Sequence, residues 1–189
     1  GTSPPPSTPP PTTPSTPSSD DSASDGETFI YHGVITKVVD GDTLKVKVKG
    51  RVKTVRAIGV DTPESKKPGV PVECGAKEAT SAAIKWGFKK AIDKDGDGIY
   101  DAGKKGRKVT LKTDPTQDKT DKYGRLLAYV TRNGTNFARN QITNGWGMVY
   151  VYNNVPFKQV SAFQAVEARA KSAGRGVWGE CDGNFHSAQ

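Results

Sequence analysis

From residue 29 onward the chain alternates apolar and polar positions in short runs. Leu44, Val46 and Val48 alternate with Lys45, Lys47 and Lys49, which predicts a half-buried strand with one basic face. Gly50-Arg51 is a tight connection into a second β-branched run over 52–60. Upstream, residues 29–39 are rich in Val, Ile and Tyr and end at the turn signal Asp40-Gly41-Asp42. These three runs predict a meander. Residues 61–75 contain three prolines and Lys66-Lys67 and read as a loop.

Residues 76–92 carry helical spacing on two faces, with Ala79, Ala82, Ala83 and Trp86 on one and Ile84, Phe88 and Ile92 on the other. A helix apolar on two sides is covered on two sides. Residues 109–112 and 126–130 read as short strands around a polar loop, and Asn133-Gly134 as a turn. Helices are expected near 136–144 and 158–173, the second from Phe163, Val166, Ala170 and Ala173 with Gly174 as its C-terminal cap. Residues 148–152 read as a strand. About five short strands followed by interposed helices predict a small OB-like β-barrel with helices, an α+β domain.

Composition divides the chain. Of the first 19 residues, 18 are Pro, Ser or Thr, so this stretch has nothing apolar to offset its conformational entropy and is expected to be disordered. The expected organisation is a linker or tail over 1–28, one domain over 29–181, and a flexible end over 182–189. All 28 Lys and Arg fall in 29–189 against 16 of the 20 acids, so that part carries about +12 where the whole chain carries +8. Such a balance excludes an acidic solvating protein and points to a polyanionic partner. No apolar run approaches the ~18 residues needed to span a bilayer.

A Ser/Thr/Pro run suits a stalk or linker of an exported protein, and Gly1 is no initiator Met, so a preceding segment is expected. Cys74 and Cys181 are too far apart for a CxxC motif. In an exported chain they read as a disulfide, with two buried thiols as the alternative.

Three clusters carry candidate chemistry. Asp40-Gly41-Asp42-Thr43 lies between two strands, and by itself is also ordinary turn chemistry. Arg56, on a face shared with Val52, Ile58 and Val60 if the strand is regular, precedes Asp61-Thr62-Pro63-Glu64. Asp121-Lys122-Tyr123-Gly124-Arg125 places two cations around an aromatic, which alone reads as a solvated face. Asp42, Asp61 and Glu64 together offer hard oxygen ligands suited to Ca²⁺ or Mg²⁺, and Arg56 and Arg125 offer planar forks suited to phosphate. With single cysteines and only His32 and His186, no Cys/His cluster for zinc is visible.

These residues resemble the staphylococcal nuclease (thermonuclease) family over roughly 29–179. The matching stretches are Val39-Asp-Gly-Asp-Thr43, Arg56-Ala-Ile-Gly-Val-Asp-Thr-Pro-Glu64, Thr120-Asp-Lys-Tyr-Gly-Arg125 and Tyr150-Val-Tyr152. The resemblance implies an OB-fold barrel of five strands, partly open, with three helices. It implies a secreted bacterial nuclease, a hydrolase that cleaves DNA and RNA phosphodiesters with Ca²⁺ and leaves 3′-phosphate products. Carried over by position, Asp42 and Asp61 would bind Ca²⁺ through side chains and Thr62 through its carbonyl. Glu64 would be the general base, and Arg56 and Arg125 would stabilise the transition state. Lys122 and Tyr123 would hold a neighbouring phosphate, and Tyr150 and Tyr152 would line a nucleoside pocket.

The chain departs from the family pattern over 93–105. There Asp93, Asp95, Asp97 and Asp101 take positions 1, 3, 5 and 9 of an EF-hand-like loop, with Gly98 at position 6 and Lys104 where a bidentate Glu belongs. This predicts a second, structural Ca²⁺; a plain polar hairpin is the alternative. Two other function classes remain open: an inactive barrel that binds nucleic acid, and a Ca²⁺-dependent cell-wall protein. The expected setting is extracellular, with the linker as a route to the wall, and the expected state a monomer.

Overall fold

A computed structural model describes residues 26–65, 68–69 and 71–186. The tail expected to be disordered falls outside them up to residue 25. Strands β1 (Ile30–Val38), β2 (Thr43–Val48) and β3 (Arg51–Ala57) form the meander. Lys49 and Gly50, both at positive φ (47° and 79°), make its second turn, the backbone twist that a two-residue hairpin requires. Leu44, Val46 and Val48 face inward and Lys47 outward.

Two later strands complete the wall. β7 (Lys108–Lys112) pairs antiparallel with β1, and β8 (Leu126–Arg132) pairs antiparallel with β7. β8 then runs parallel to β3 from Val55↔Leu126 to Ala57↔Ala128. That last ladder closes a five-stranded barrel where a partly open one was expected. Val46, Val55, Leu111 and Val130 fill it, each almost wholly buried.

Among the described residues there are four helices: α1 (Ala76–Gly87), α2 (Phe137–Thr143), α3 (Val160–Ser172) and the short α4 (Val177–Glu180). α2 and α3 match their expected positions. Asn136 caps α2 by accepting from the Arg139 amide, and Gly174 at φ 63° ends α3. α1 does not extend to residue 92. Phe88–Ile92 is strand β5, paired with β6 (Ala102–Gly106) around the Asp-rich loop. Phe88 and Ile92 are four residues apart, a spacing that puts both on one face of a helix or of a strand, so periodicity alone could not separate the two. The two-residue β9 (Thr135–Asn136) pairs with the end of β8, and the strand expected over 148–152 is only β10 (Met148–Val149), paired with β4 (Val60–Asp61). Asn153 and Asn154, at φ 52° and 58°, turn the chain out of it.

Phe157 and Phe163 pack edge-on at 5.1 Å beside Gly59, and Trp86 meets Phe137 at 5.2 Å where α1 meets α2. A second, smaller core holds Val177, Cys181 and Phe185 against Trp178. Cys74 and Cys181 form a disulfide. The end of the chain is therefore not loose through residue 186: Phe185 is buried, and its ring sits 4.9 Å from that of Trp178.

Candidate active site

Three segments converge at one end of the barrel. The first is the bend Asp40–Asp42 between β1 and β2. Asp42 is buried, and its Oδ2 accepts from the Thr62 amide (3.2 Å) and hydroxyl (3.0 Å), while Oδ1 accepts from the Thr43 hydroxyl (2.8 Å). These bonds lash the first bend to the chain leaving β4. Burial pushes the Asp42 carboxyl up, but the Arg56 charge and these donors outweigh it and hold Asp42 below the usual range. Asp40 has the opposite fate. Burial, then repulsion from Asp42, pushes it up to about 7.

Arg56 is the second element. On β3, Val55 and Ala57 face the interior and Val52 is exposed, so the face that Arg56 shares with Val52 is the outer one, not an apolar face. Arg56 is nonetheless largely enclosed, because the chain folds back over it at Gly59. Its Nη1 donates to the Val60 carbonyl at 2.6 Å, and its Nη2 lies 3.5 Å from both Asp42 Oδ2 and Asp61 Oδ1. Gly59 is at φ 88°, and a Cβ there would lie 2.6–2.8 Å from the rings of Phe157 and Phe163. Only glycine makes this turn, and its carbonyl accepts from the Tyr150 amide.

The third element is the loop 121–125. Asp121 Oδ1 accepts from the amides of Tyr123 and Arg125, and Oδ2 from Arg125 Nε at 2.6 Å. Burial raises the Asp121 carboxyl, yet these donors more than compensate and keep it low. One aspartate thus shapes the turn that presents Lys122, Tyr123 and Arg125.

Two cavities meet at this place, with Arg56, Asp61 and Arg125 lining both. The acidic one, about 320 Å³, also takes Asp40, Asp42, Thr62 and Glu64. The other, about 450 Å³, is lined by Lys122, Tyr123, Tyr150 and Tyr152. Every site residue expected at the barrel mouth lines one of them. With Glu73, the acidic cavity gathers five carboxyl groups against two arginines, one of them already engaged by Asp121. A hard divalent cation fits this donor set, because it would relieve the repulsion felt by Asp40 and Asp61. Burial raises Asp61, and Arg56 only partly offsets that.

Sequence reasoning missed three participants. Asp40 belongs to the first cluster and to a matching stretch, but the sequence gives it no role of its own. Glu73 and His186 carry no role in the sequence motifs, yet the His186 ring bridges Asp61 (Nε2–Oδ2, 2.9 Å) and Glu73 (Nδ1–Oε2, 2.9 Å). A signal did exist: Glu73 adjoins Cys74, and His186 follows Cys181 by five residues, so the expected disulfide brings the two together.

The Asp-rich loop lies elsewhere, beyond β5. One oxygen each from Asp93, Asp95 and Asp101 falls within 4.8 Å of the others. Asp97 is not part of that group; its Oδ1 accepts from the Ile99 amide. The loop therefore brings together three of the four expected acids.

A family model described as staphylococcal nuclease homologue matches residues 54–180, a span that includes Arg56, Asp61, Glu64, Lys122, Tyr123, Arg125, Tyr150 and Tyr152 and begins after Asp42. An uncharacterised protein of Methanocaldococcus jannaschii is 34% identical over 157 residues, 78% of this chain and 72% of that one. Endonuclease YncB of Bacillus subtilis is 34% identical over 145 residues, covering 76% of this chain and 60% of its own length. The SPbeta prophage-derived endonuclease YokF of the same organism is equally similar, with 43% of its length covered. The chain thus spans less than two thirds of either endonuclease. The closed barrel, the converging motifs and these matches agree, and the chain belongs to the staphylococcal nuclease family.

Proposed function

We propose that this protein is a secreted, Ca²⁺-dependent nuclease that hydrolyses DNA and RNA phosphodiesters to 3′-phosphate products. The observation that carries the reading is the junction at Arg56. Its guanidinium stands between two acidic groups, Asp42 and Asp61, and borders the cavity that holds Lys122, Tyr123, Tyr150 and Tyr152. The acidic side suits a cation and the other side a phosphate chain with its bases. Family membership and the similarity to the endonucleases YncB and YokF support nuclease activity.

In this reading Asp42 and Asp61, with the Thr62 carbonyl, hold the ion. Calcium, when bound, supplies positive charge beside a phosphate oxygen. Glu64 accepts a proton from the attacking water as the new P–O bond forms. The bond from phosphorus to the 5′-oxygen then breaks, the 5′-oxygen takes up a proton, and phosphate stays on the 3′-oxygen. Arg56 and Arg125 donate to the phosphoryl oxygens, and bind more tightly as negative charge accumulates there. Lys122 and Tyr123 hold the next phosphate, while Tyr150 and Tyr152 form a stacking wall for the base. Asp93, Asp95 and Asp101 hold a second, structural Ca²⁺ remote from the chemistry. The disulfide and the Pro/Ser/Thr-rich composition of the N-terminal residues support export, with that linker as a tether at the cell wall.

Plasmid DNA and a single-stranded RNA incubated with the protein should be degraded with Ca²⁺ and spared with chelator. End-group analysis should find 3′-phosphates. Binding without cleavage under both conditions would favour the inactive-module reading instead.

A further inference from the structure

The C-terminal segment reaches the acidic cavity by a built route. The disulfide joins Cys181 to Cys74, next to Glu73. Gly183 donates its amide to the Val177 carbonyl, Phe185 is buried against Trp178, and the His186 amide donates to Asn184 Oδ1 at 3.1 Å. The imidazole is thereby delivered between two carboxylates, each 2.9 Å from one ring nitrogen. Glu73 is itself fixed, since its amide donates to the Glu64 carbonyl.

Asp61 is consequently held by different partners at its two oxygens. Oδ2 meets His186 Nε2, while Oδ1 lies 3.5 Å from Arg56 Nη2, which is equally far from Asp42 Oδ2. A carboxylate with one oxygen pinned in this way has lost most of its freedom to rotate about χ2, and its other oxygen stays on the side of Arg56 Nη2, the nitrogen that also meets Asp42. Partners beyond the ligands themselves commonly act like this at metal sites, where they orient the ligand and their loss costs ~10–100-fold in affinity.

We propose that His186 is a positioning residue for the catalytic cation site: oriented by Glu73, it pins Asp61 so that its inner oxygen is preset for Ca²⁺. The proposal rests on the reading of Asp42 and Asp61 as cation ligands. It also gives the disulfide a second task beside stability. The covalent link brings the two positioning residues to the rim from chain positions 113 residues apart.

The test is calorimetric titration of the full chain with Ca²⁺, in an Asp93→Asn/Asp101→Asn background that removes the loop's contribution. His186→Ala should weaken the remaining site by about tenfold or more. His186→Gln, whose amide can still donate to Asp61, should stay within about threefold of the background protein. Melting temperatures without Ca²⁺ should agree, because the His186 side chain is 54% exposed. In nuclease assays the Ca²⁺ concentration for half-maximal rate should shift in parallel, with little change in KM for DNA. Unchanged or tighter Ca²⁺ binding by His186→Ala would overturn the proposal, as would a Gln variant as weak as Ala. If the background protein binds no Ca²⁺, the calcium reading of the site fails and this proposal falls with it. If that protein binds Ca²⁺ and His186→Ala binds it equally well, only the role of His186 fails.

Discussion

The buried side chain of Gln141 donates a 2.7 Å hydrogen bond to the carbonyl of Gly41, 100 residues earlier in the chain. The same Nε2 donates to the Ala79 carbonyl at 2.8 Å, so one amide on α2 ties α1 to the bend that carries Asp40 and Asp42. Gly41 has no room for a side chain, since a Cβ would lie 2.7 Å from Ala79 Cβ and Thr62 Oγ1. The bend that lines the acidic cavity is therefore held in place by one buried amide.

Gln141→Leu preserves most of the volume and leaves the Gly41 carbonyl buried without this donor. The expected loss is about 1–3 kcal/mol of stability. Because the bend carries Asp42, Ca²⁺ affinity should weaken as well. Chemical denaturation and calorimetric Ca²⁺ titration measure the two effects, and a variant as stable as wild type would show that the bend does not depend on Gln141.

Glu64→Gln removes the proposed base and keeps a neutral hydrogen-bonding group of the same shape. Turnover should fall by ~10²–10⁴-fold with nucleotide binding retained. Arg56→Lys and Arg125→Lys conserve charge but not the planar fork, and should also lose turnover heavily. Near-wild-type rates in folded Glu64→Gln protein would remove Glu64 from the mechanism.

Asp114 supplies a pH prediction. Its buried carboxylate accepts from the Tyr129 hydroxyl, from the amide and hydroxyl of Thr116, and from the Lys158 amide ahead of α3. Burial pushes this carboxyl up, but the donors outweigh burial and hold it below the usual range. A depressed folded-state pKa gives stability that is complete above the unfolded value near ~3.9. That stability is lost as pH falls through the lower folded value. Asp114→Asn should be less stable at neutral pH and should show a shallower fall in stability between about pH 4 and pH 2. Equal acid slopes for the two proteins would contradict the assignment.

Opening the disulfide should be costly. It closes a loop of 107 residues, worth about 4–5 kcal/mol if chain entropy dominates. Cys74→Ala/Cys181→Ala should melt well below wild type in Ca²⁺-free buffer, and should need more Ca²⁺ for activity because Glu73 and His186 are released together. Equal melting temperatures would show that the smaller core holds this end of the chain unaided.

The Asp-rich loop should bind its ion without touching catalysis. Asp93→Asn/Asp101→Asn should lower Ca²⁺ stoichiometry and melting temperature in Ca²⁺, and leave turnover at saturating Ca²⁺ unchanged. Asp97→Asn, outside the group of three, should do much less. A folded double variant without nuclease activity would show that the roles are not separate.

What the sequence determined by itself was local. The period-two run Leu44, Val46, Val48 dictates a strand with one buried face, Gly174 ends a helix, and the cations and carboxylates of the three charged motifs state their chemistry by type and order. A side chain's chemistry and the short-range geometry of its backbone are properties of neighbouring residues, so they can be read in line. Only the tertiary structure decided where those groups meet. Whether 88–92 is helix or strand depended on β6, which lies across the Asp-rich loop. Whether the barrel closes depended on β8 reaching β3. That Arg56 is enclosed although its strand face points outward depended on the chain folding back at Gly59. His186 is the extreme case. Its one mark in the sequence is Cys181 five residues before it, and it comes to Asp61 from 125 positions away, because a disulfide and a buried phenylalanine fix this segment against the barrel mouth. Such pairings are set by the packing of the whole core and by covalent closure, which no local pattern encodes.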